Sequence, residues 1–496
     1  MMHLYQKYIG LLLLLASGNV LAANTSWVLT EDALVEKVYH ESTLLTRQQS
    51  YQAQTDSMNL EEISRFQPIW KSKIYYQDSN EKGLASFMPT FGPVYGFSTG
   101  VMQKFSHGLD VEANFFGDLT STTDSFIDKA TRTGVNVKAK IDLLKNFMGR
   151  IDQAKLKSSQ LQIEKTEIQN HMDMRTFELE MRKHFWSLVS IEKKISVANK
   201  LLETANIQYE DSLKRQKNFI ADVSDTQRYK AQVADRKSTL YTLTYQKDLI
   251  LQQMKQFFPP LSNATIEMGD YNIEQTTMAV LACVEQIKSY PRTPWDHTQM
   301  DELLAVIEKD YAQQKKVDQS IAGADLALES KVQASGVDRG FADSYADFAS
   351  DAGIGVQIGL VLDVPLGSSK KKAEKAKHRF HYEQFLADQK ETKATVEAQQ
   401  SQLTSMVDTL YASMQNYDEN NETLLDNISR MQKKYKQARI DVLDLVREQD
   451  ALSQNALSEI DAHLAIMHIL LDYFKVFTED PCSINQLYTQ YVKKGA

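Results

Sequence analysis

Two apolar stripes of helical period constrain this chain more than any other feature. Phe177, Met181, Phe185, Leu188, Ile191, Ile195, Ala198, Leu202, Ala205 and Tyr209 take nine steps over 32 residues, or 3.56 per step. Leu403, Val407, Leu410, Met414, Tyr417, Asn421, Leu424, Ile428, Met431 and Tyr435 take the same nine steps over the same distance. That mean lies between the 3.6 of a straight helix and the 3.5 of a coiled-coil seam, so each stripe predicts a long helix packed along its length. Helix interiors exclude Pro and Gly, and the 496 residues include only 9 Pro and 19 Gly. Helix is predicted from about Leu29 to Phe66 with Thr30 as N-cap, and from Asn146 to Phe258 with a break near Asn218 to Asp225. It is predicted again from Asp301 to Leu328 and from Lys370 onward. A helix of ~70 residues extends on the order of 100 Å.

Between these helices the period changes to two. Ile69 to Tyr76, Val94 to Phe105, Leu109 to Gly117 and Thr133 to Ile141 are rich in aromatic and β-branched residues and are separated by turn residues. Val135, Val137, Ala139 and Ile141 alternate with Asn136, Lys138 and Lys140. Later in the chain Ser330 to Ser335 and Ile354 to Pro365 read as strands, with an acidic loop between them. Weak alternating segments of this length are what a membrane β-barrel offers from sequence. The order helix, strands, long helix, break, return helix therefore occurs twice, in 23–260 and 301–477, with a mixed segment 261–300 between and a tail 478–496. The first copy carries two strands more than the second, and the extra pair reads either as further strands or as an extracellular hairpin. The fold class expected is mostly α, of the α+β type.

The first 22 residues, with Lys7, the apolar run Ile9 to Ala16 and small residues ending at Ala22, predict a secretory signal peptide. No other run approaches the ~18 apolar residues of a spanning helix, so if the mature protein sits in a membrane it must do so by strands. A formal charge of −9 argues against nucleic acid as a partner, because phosphate binding needs a basic surface. No His-Glu-x-x-His, phosphate-binding loop or Gly-x-Ser-x-Gly occurs, so neither catalysis nor a cofactor is expected. His378 and His381 share a helix face but lack a third ligand, so no metal site is assigned. Asp338, Asp343, Asp347 and Asp351 fit no compact calcium loop and read as solvated. Lys370, Lys371, Lys372, Lys375 and Lys377 read as a solvated helix start, with lipid head groups as the other candidate partner.

Several phrases, in this order of elements, resemble the TolC-like outer-membrane efflux family along essentially the whole chain after the signal. Leu29-Thr30-Glu31-Asp32-Ala33-Leu34 resembles its opening helix, and Val364-Pro365-Leu366-Gly367 its turn from strand to helix. In the first copy Leu143 to Arg150 occupies that place without the Pro. Asp441-Val442-Leu443-Asp444, preceded by Tyr435, Ala438 and Arg439, resembles the family's hairpin tip, and Phe219 to Asp225 is a weaker counterpart.

The resemblance implies a homotrimeric exit duct in the outer membrane, with a shared barrel in lipid and a helical tunnel in the periplasm. Its partners would be a periplasmic adaptor and an inner-membrane pump, in a tripartite efflux or type I secretion system. It further implies that Asp441, Asp444, Asp222 and Asp225 ring a constricted entrance, where crowded carboxylates favour cations; the other reading is that these Asp cap the helices that follow them. Tyr435 and Arg439 would stabilise the closed tip, or else be a core Tyr and an exposed Arg. Asn218, Phe219 and Ala438 would meet the adaptor. The segments holding Cys283 and Cys482 pack together in the family, which implies a disulfide between them in an oxidising compartment. The competing function is a trimeric coiled-coil adhesin or periplasmic scaffold without a lumen, which needs no strand-bearing repeats.

Overall fold

The computed structural model of the chain describes residues 26–78, 93–121, 129–219, 221–259, 264–269, 271–289, 299–321, 324–364, 366–367, 369–437, 439–477 and 482. The signal segment 1–22, Ala438, Pro365 and all of the tail 478–496 except Cys482 lie outside them. The chain divides into two compact units, one formed by 1–49, 170–301 and 392–496, the other by 50–169 and 302–391.

The elements follow the predicted alternation of periods. After β1 (Ser26–Leu29) come α1 (Glu31–Glu41) and α2 (Thr43–Ser64), then β2 (Ile69–Gln77), β3 (Val94–Phe105), β4 (Leu109–Ser121) and β5 (Lys129–Asp142). The long α3 (Arg150–Lys217) and its return α4 (Val223–Phe257) close the first repeat. Between the repeats lie β6 (Thr265–Met268) and α5 (Ile273–Ser289). The second repeat holds α6 (Gln299–Ile321), β7 (Asp325–Asp338), α7 (Phe341–Asp351), β8 (Gly353–Asp363), α8 (Ser369–Ser401), α9 (Val407–Lys436) and α10 (Val442–Phe474). One π-helical turn, Gln402–Met406, joins α8 to α9.

The structure corrects four expectations. The opening helix is two helices, because Ser42 is extended (φ −76°, ψ 148°) and its Oγ accepts from the Leu45 amide at 3.3 Å, starting a second helix. The helix predicted to Leu328 stops at Ile321, and the strand predicted at Ser330 begins at Asp325. Gly323 follows that stop in sequence, and Leu326 and Leu328 alternate with Ala327 and Glu329 on the strand. The acidic loop contains α7. Finally, β1 and β6 form an unpredicted parallel pair, Trp27 opposite Ile266.

In the second unit the strands form one antiparallel sheet ordered β2-β3-β4-β5-β7-β8. Its register sets Glu112, Lys138, Lys331 and Gln357 in one row across β4, β5, β7 and β8. Residues directly opposite share a face, so this face also carries Lys71, Lys73, Asp118, Arg132 and Glu329. Arg132 pairs with Asp118 at 2.6 Å, and Lys138 with Glu112 and Lys140 with Glu329 at 3.4 Å. The opposite face carries Trp70, Ile74, Phe97, Val101, Val111, Phe115, Val135, Val137, Leu328, Val332, Ile358 and Leu360. At one end α7 folds over this apolar face: Phe341 lies 5.8 Å from Phe97 and Tyr345 6.4 Å from Phe115, while Thr133 and Ser344 share a hydrogen bond of 3.1 Å.

At the other end β5 turns into α3 without the Pro that the second repeat has. Asn146 takes over the capping: its Oδ1 accepts from the Ile151 amide at 2.9 Å and its Nδ2 donates to Asp152 at 2.6 Å. The turn then needs Gly149, whose φ is +74° and whose missing Cβ would stand 1.8 Å from the Ser106 carbonyl oxygen.

The first unit is built on the two stripes. Met181, Phe185 and Leu188 of α3 and Leu403, Val407 and Met414 around α9 are at most 2% exposed and join one core with Leu29, Leu34, Phe258, Ile466 and Phe474. A charged cluster is buried beside it. Arg182 and Glu31 are each 2% exposed and pair at 2.6 Å, and Arg182 also holds Glu178 at 2.8 Å. A disulfide joins Cys283 of α5 to Cys482, with Cα atoms 5.7 Å apart.

Candidate functional site

The sequence points to the two helix-to-helix breaks, and both lie in the first unit. Each break ends one long helix and starts the next with the same device. Asp222 is the N-cap of α4 and accepts from the Ser224 amide at 3.0 Å; Asp441 is the N-cap of α10 and accepts from the Leu443 amide at 2.9 Å. Asp225 and Asp444 stand three residues later, in the first turns. Asp-Val-Ser-Asp and Asp-Val-Leu-Asp are thus paired N-terminal signatures, with side-chain oxygens on orphan amides and negative charge at the positive end of the helix dipole. Lys214, Arg215 and Lys217 end α3, and Lys433, Lys434 and Lys436 end α9, where the dipole favours cations.

The structure joins the two breaks through residues the sequence did not single out. Arg228, on α4, donates from Nη1 to Asp441 Oδ1 at 2.8 Å and stands 3.9 Å from Asp225. Asp441 Oδ1 therefore serves both the cap of its own helix and the neighbouring hairpin. Behind this contact the Tyr435 ring meets Tyr229 edge-on at 6.2 Å, and the Arg215 guanidinium lies 4.5 Å from the Tyr435 ring centroid. Tyr229 is 1% exposed, and burial, reinforced by Tyr435, raises its phenol well above the ordinary range. Burial raises the Tyr435 phenol as well, against the opposing pull of Tyr229 and Arg215. Further along, Arg236 donates to Ser453 Oγ at 3.2 Å and pairs with Asp450, and Gln232 donates to Gln449 Oε1 at 3.1 Å. This buried polar seam stitches α4 to α10.

Arg439 is not part of that contact. Its amide donates to the Lys434 carbonyl at 3.0 Å, its side chain is exposed, and among the described residues it has no acidic partner. Asp444 is likewise exposed. Phe219 is 98% exposed and takes a left-handed φ of +62°, a conformation costly for a residue with a Cβ. Asn218 precedes it, its amide held by Lys214 at 3.2 Å. Among the described residues no helix is long and apolar enough to cross a membrane, and no cluster of His, Cys, Asp and Glu is arranged to hold a metal ion.

A second polar cluster sits between α9 and α10. Asn455 donates to Asn421 Oδ1 and to the Tyr417 carbonyl at 2.7 Å, Asn421 donates to Glu459, and His463 Nδ1 meets Thr277 Oγ1 of α5 at 3.0 Å. The hydrogen bond from His463 holds the Glu459 carboxyl below its ordinary range. Burial, together with its hydrogen bond to Glu459, raises Asp418.

No protein-family model matches the chain, and no curated protein matches it in sequence. Solved structures match its fold. The outer membrane protein VceC of Vibrio cholerae is similar at a TM-score of 0.63 and 11% identity, over 90% of this chain and 95% of its own. The CmeC outer membrane channel of Campylobacter jejuni gives 0.63 and 10%, over 92% and 89%. The open state of the MtrE outer membrane channel of Neisseria gonorrhoeae gives 0.58 and 10%, over 90% and 88%. Nearly the whole chain is covered in each case, and it has the fold of these outer-membrane channels.

Proposed function

We propose that three copies of this chain form a passive exit duct of the TolC-like kind in the outer membrane. The strands line a pore through lipid, and the helical hairpins continue it into the periplasm. The observation that carries this reading is the two-faced sheet. An antiparallel sheet with one face of Trp, Ile, Val, Leu and Phe and the other of Lys, Arg, Glu and Asp is what a barrel between lipid and water requires. A coiled-coil adhesin or scaffold would have no use for it. The shared fold with outer-membrane channels supports the same reading.

The paired hairpin breaks are the entrance of this duct. Asp441, Asp444, Asp222 and Asp225, repeated around a threefold axis, make the opening cation-favouring, while the Arg228 bridge and the Tyr435, Tyr229 and Arg215 stack hold the breaks together until a partner releases them. That partner is a periplasmic adaptor, for which the protruding Phe219 is the apolar contact, with Asn218 beside it and Ala438, outside the described residues, as the counterpart in the second break. An inner-membrane pump supplies the energy, in a tripartite efflux or type I secretion assembly. The cargo is small molecules, metal ions or proteins. No reaction is catalysed, and no cofactor is used.

Ion selectivity in planar bilayers tests the entrance. The wild type passes cations in preference to anions, and Asp441→Asn with Asp444→Asn lowers that preference several-fold. An unchanged reversal potential would contradict the Asp ring, and absence of any conductance would contradict the duct.

A further inference from the structure

We propose that all six strands of each copy enter the barrel wall, so that β8 of one copy pairs with β2 of the next and three copies close an 18-stranded barrel. The proposal rests on the three-copy duct above and specifies how its wall is made.

The first four strands come from one repeat and the last two from the other, so the outermost pair, β2 and β3, is where a smaller barrel would shed material. Nothing in the sheet marks them as detached. β2 pairs with β3 through nine consecutive residues, from Ile69 opposite Met102 to Gln77 opposite Val94, and β3 pairs with β4 through twelve. The two-faced pattern also continues to the edge. On β2, Trp70, Ile74 and Tyr76 stand with Ser72 on the apolar face, and Lys71, Lys73 and Gln77 stand with Ile69 and Tyr75 on the charged one. A hairpin lying in water has no reason to keep this alternation in phase with the strands in lipid.

The two edges fit each other. Strand directions alternate across six antiparallel strands, so β2 and β8 run in opposite directions and successive copies pair antiparallel around a closed ring. Neither edge can stay open in hydrocarbon, where unpaired backbone groups have no water to bond. On β8 the apolar-face residues Ile354, Val356, Ile358, Leu360 and Leu362 are 59–74% exposed in the single copy. Its other face carries Gly353, Gly355, Gln357 and Gly359 and ends in Val361 and Asp363, and a Cβ placed at Gly359 would meet nothing within 4 Å. The same face of β2 carries the long Lys71, Lys73 and Tyr75. Within one copy Tyr75 already fills the space over a glycine, since a Cβ at Gly96 would stand 2.3 Å from the Tyr75 ring. The seam between copies repeats that arrangement, with large side chains of β2 over glycines of β8. At a strand spacing of ~4.8 Å and a tilt of ~40°, 18 strands give a backbone diameter of about 36 Å, against about 24 Å for 12.

Cysteine cross-linking between copies tests this. Both native cysteines are in the disulfide, so introduced thiols are unambiguous. Ile74→Cys is combined in turn with Val356→Cys, Ile358→Cys and Leu360→Cys, and Phe115→Cys on β4 with the same three, and each variant is oxidised in native outer membranes. The expected result is a covalent three-copy band from at least one Ile74 combination and none from the Phe115 series. Cross-links from Phe115 alone would place β4 at the edge and overturn the 18-stranded wall while leaving the duct. No cross-link in protein that still migrates as three copies unheated would also overturn it. Protein that migrates as a single copy unheated would overturn the duct itself.

Discussion

Arg228 and Asp441, 213 residues apart in sequence, meet at 2.8 Å and tie the break of one helical hairpin to that of the other. Both side chains are substantially exposed, 39% and 55%, so the contact is worth only ~0.2–1 kcal/mol per copy and weakens with salt. In the proposed duct, a contact of that size would be a latch that holds the breaks together at rest and yields to a partner. Arg228→Ala should raise the conductance of the reconstituted channel at a fixed, low salt concentration, and the gap between variant and wild type should shrink as salt is increased. Equal conductance at low salt would remove the latch from the account.

The Glu31 and Arg182 pair is the opposite case. Each is 2% exposed, so removing Glu31 takes away one of the two carboxylates that hold Arg182 and leaves Glu178 alone to balance a charge that its surroundings solvate poorly. Glu31→Leu alone should cost about 3–5 kcal/mol, and Glu31→Leu with Arg182→Met should recover much of that loss. Thermal unfolding followed by circular dichroism measures both. A double variant no more stable than the single would mean that the cost lies in packing around α1.

The disulfide between Cys283 and Cys482 closes a separation of 199 residues. Loop-closure entropy gives about 5 kcal/mol for a link of that span. Cys283→Ala with Cys482→Ala should therefore lower the melting temperature of the helical core, and reductant should lower the wild type by a similar amount while leaving the variant unchanged.

His468 and His184 give the stability an acid limb. Burial lowers both imidazoles, and the nearby Lys183 ammonium lowers them further. A base whose folded value lies below its unfolded one, ~6.5 for His, binds protons more readily when unfolded. Its contribution is present above ~6.5 and is lost as pH falls through the lower folded value. The melting temperature should drop between pH 7.5 and 5, and His468→Gln should drop less over that interval. Parallel curves would assign the acid limb to other groups.

The helices and strands of the chain were legible because their periods are long and repeated. The 3.56-residue stripe of α3 is the buried face observed at Met181, Phe185 and Leu188, and the alternation at Val135 to Ile141 is the two-faced sheet. Both Asp-x-x-Asp phrases were legible as breaks, and their capping geometry follows from local rules. What escaped was short or distant. β1 and β6 have only four residues each and form a pair through a register that nothing nearby specifies. The apolar side of α7 was visible as Phe341, Tyr345 and Phe348 at steps of four and three, but the intervening Asp residues made it read as a loop. Arg228 sits in an ordinary helical stretch, and its partner Asp441 comes from the other repeat, so no local pattern marks it. Tyr435 stands out by its place just before the break, whereas its neighbours, Arg215 and Tyr229, lie on helices of the first hairpin.

The proposed duct is hollow, made of three copies and set in the outer membrane. Electron microscopy of protein extracted from outer membranes in detergent tests it most directly. A three-copy duct gives threefold class averages with a stain-filled lumen and a long stem. A solid rod, or a single copy recovered from the soluble periplasmic fraction, would contradict it.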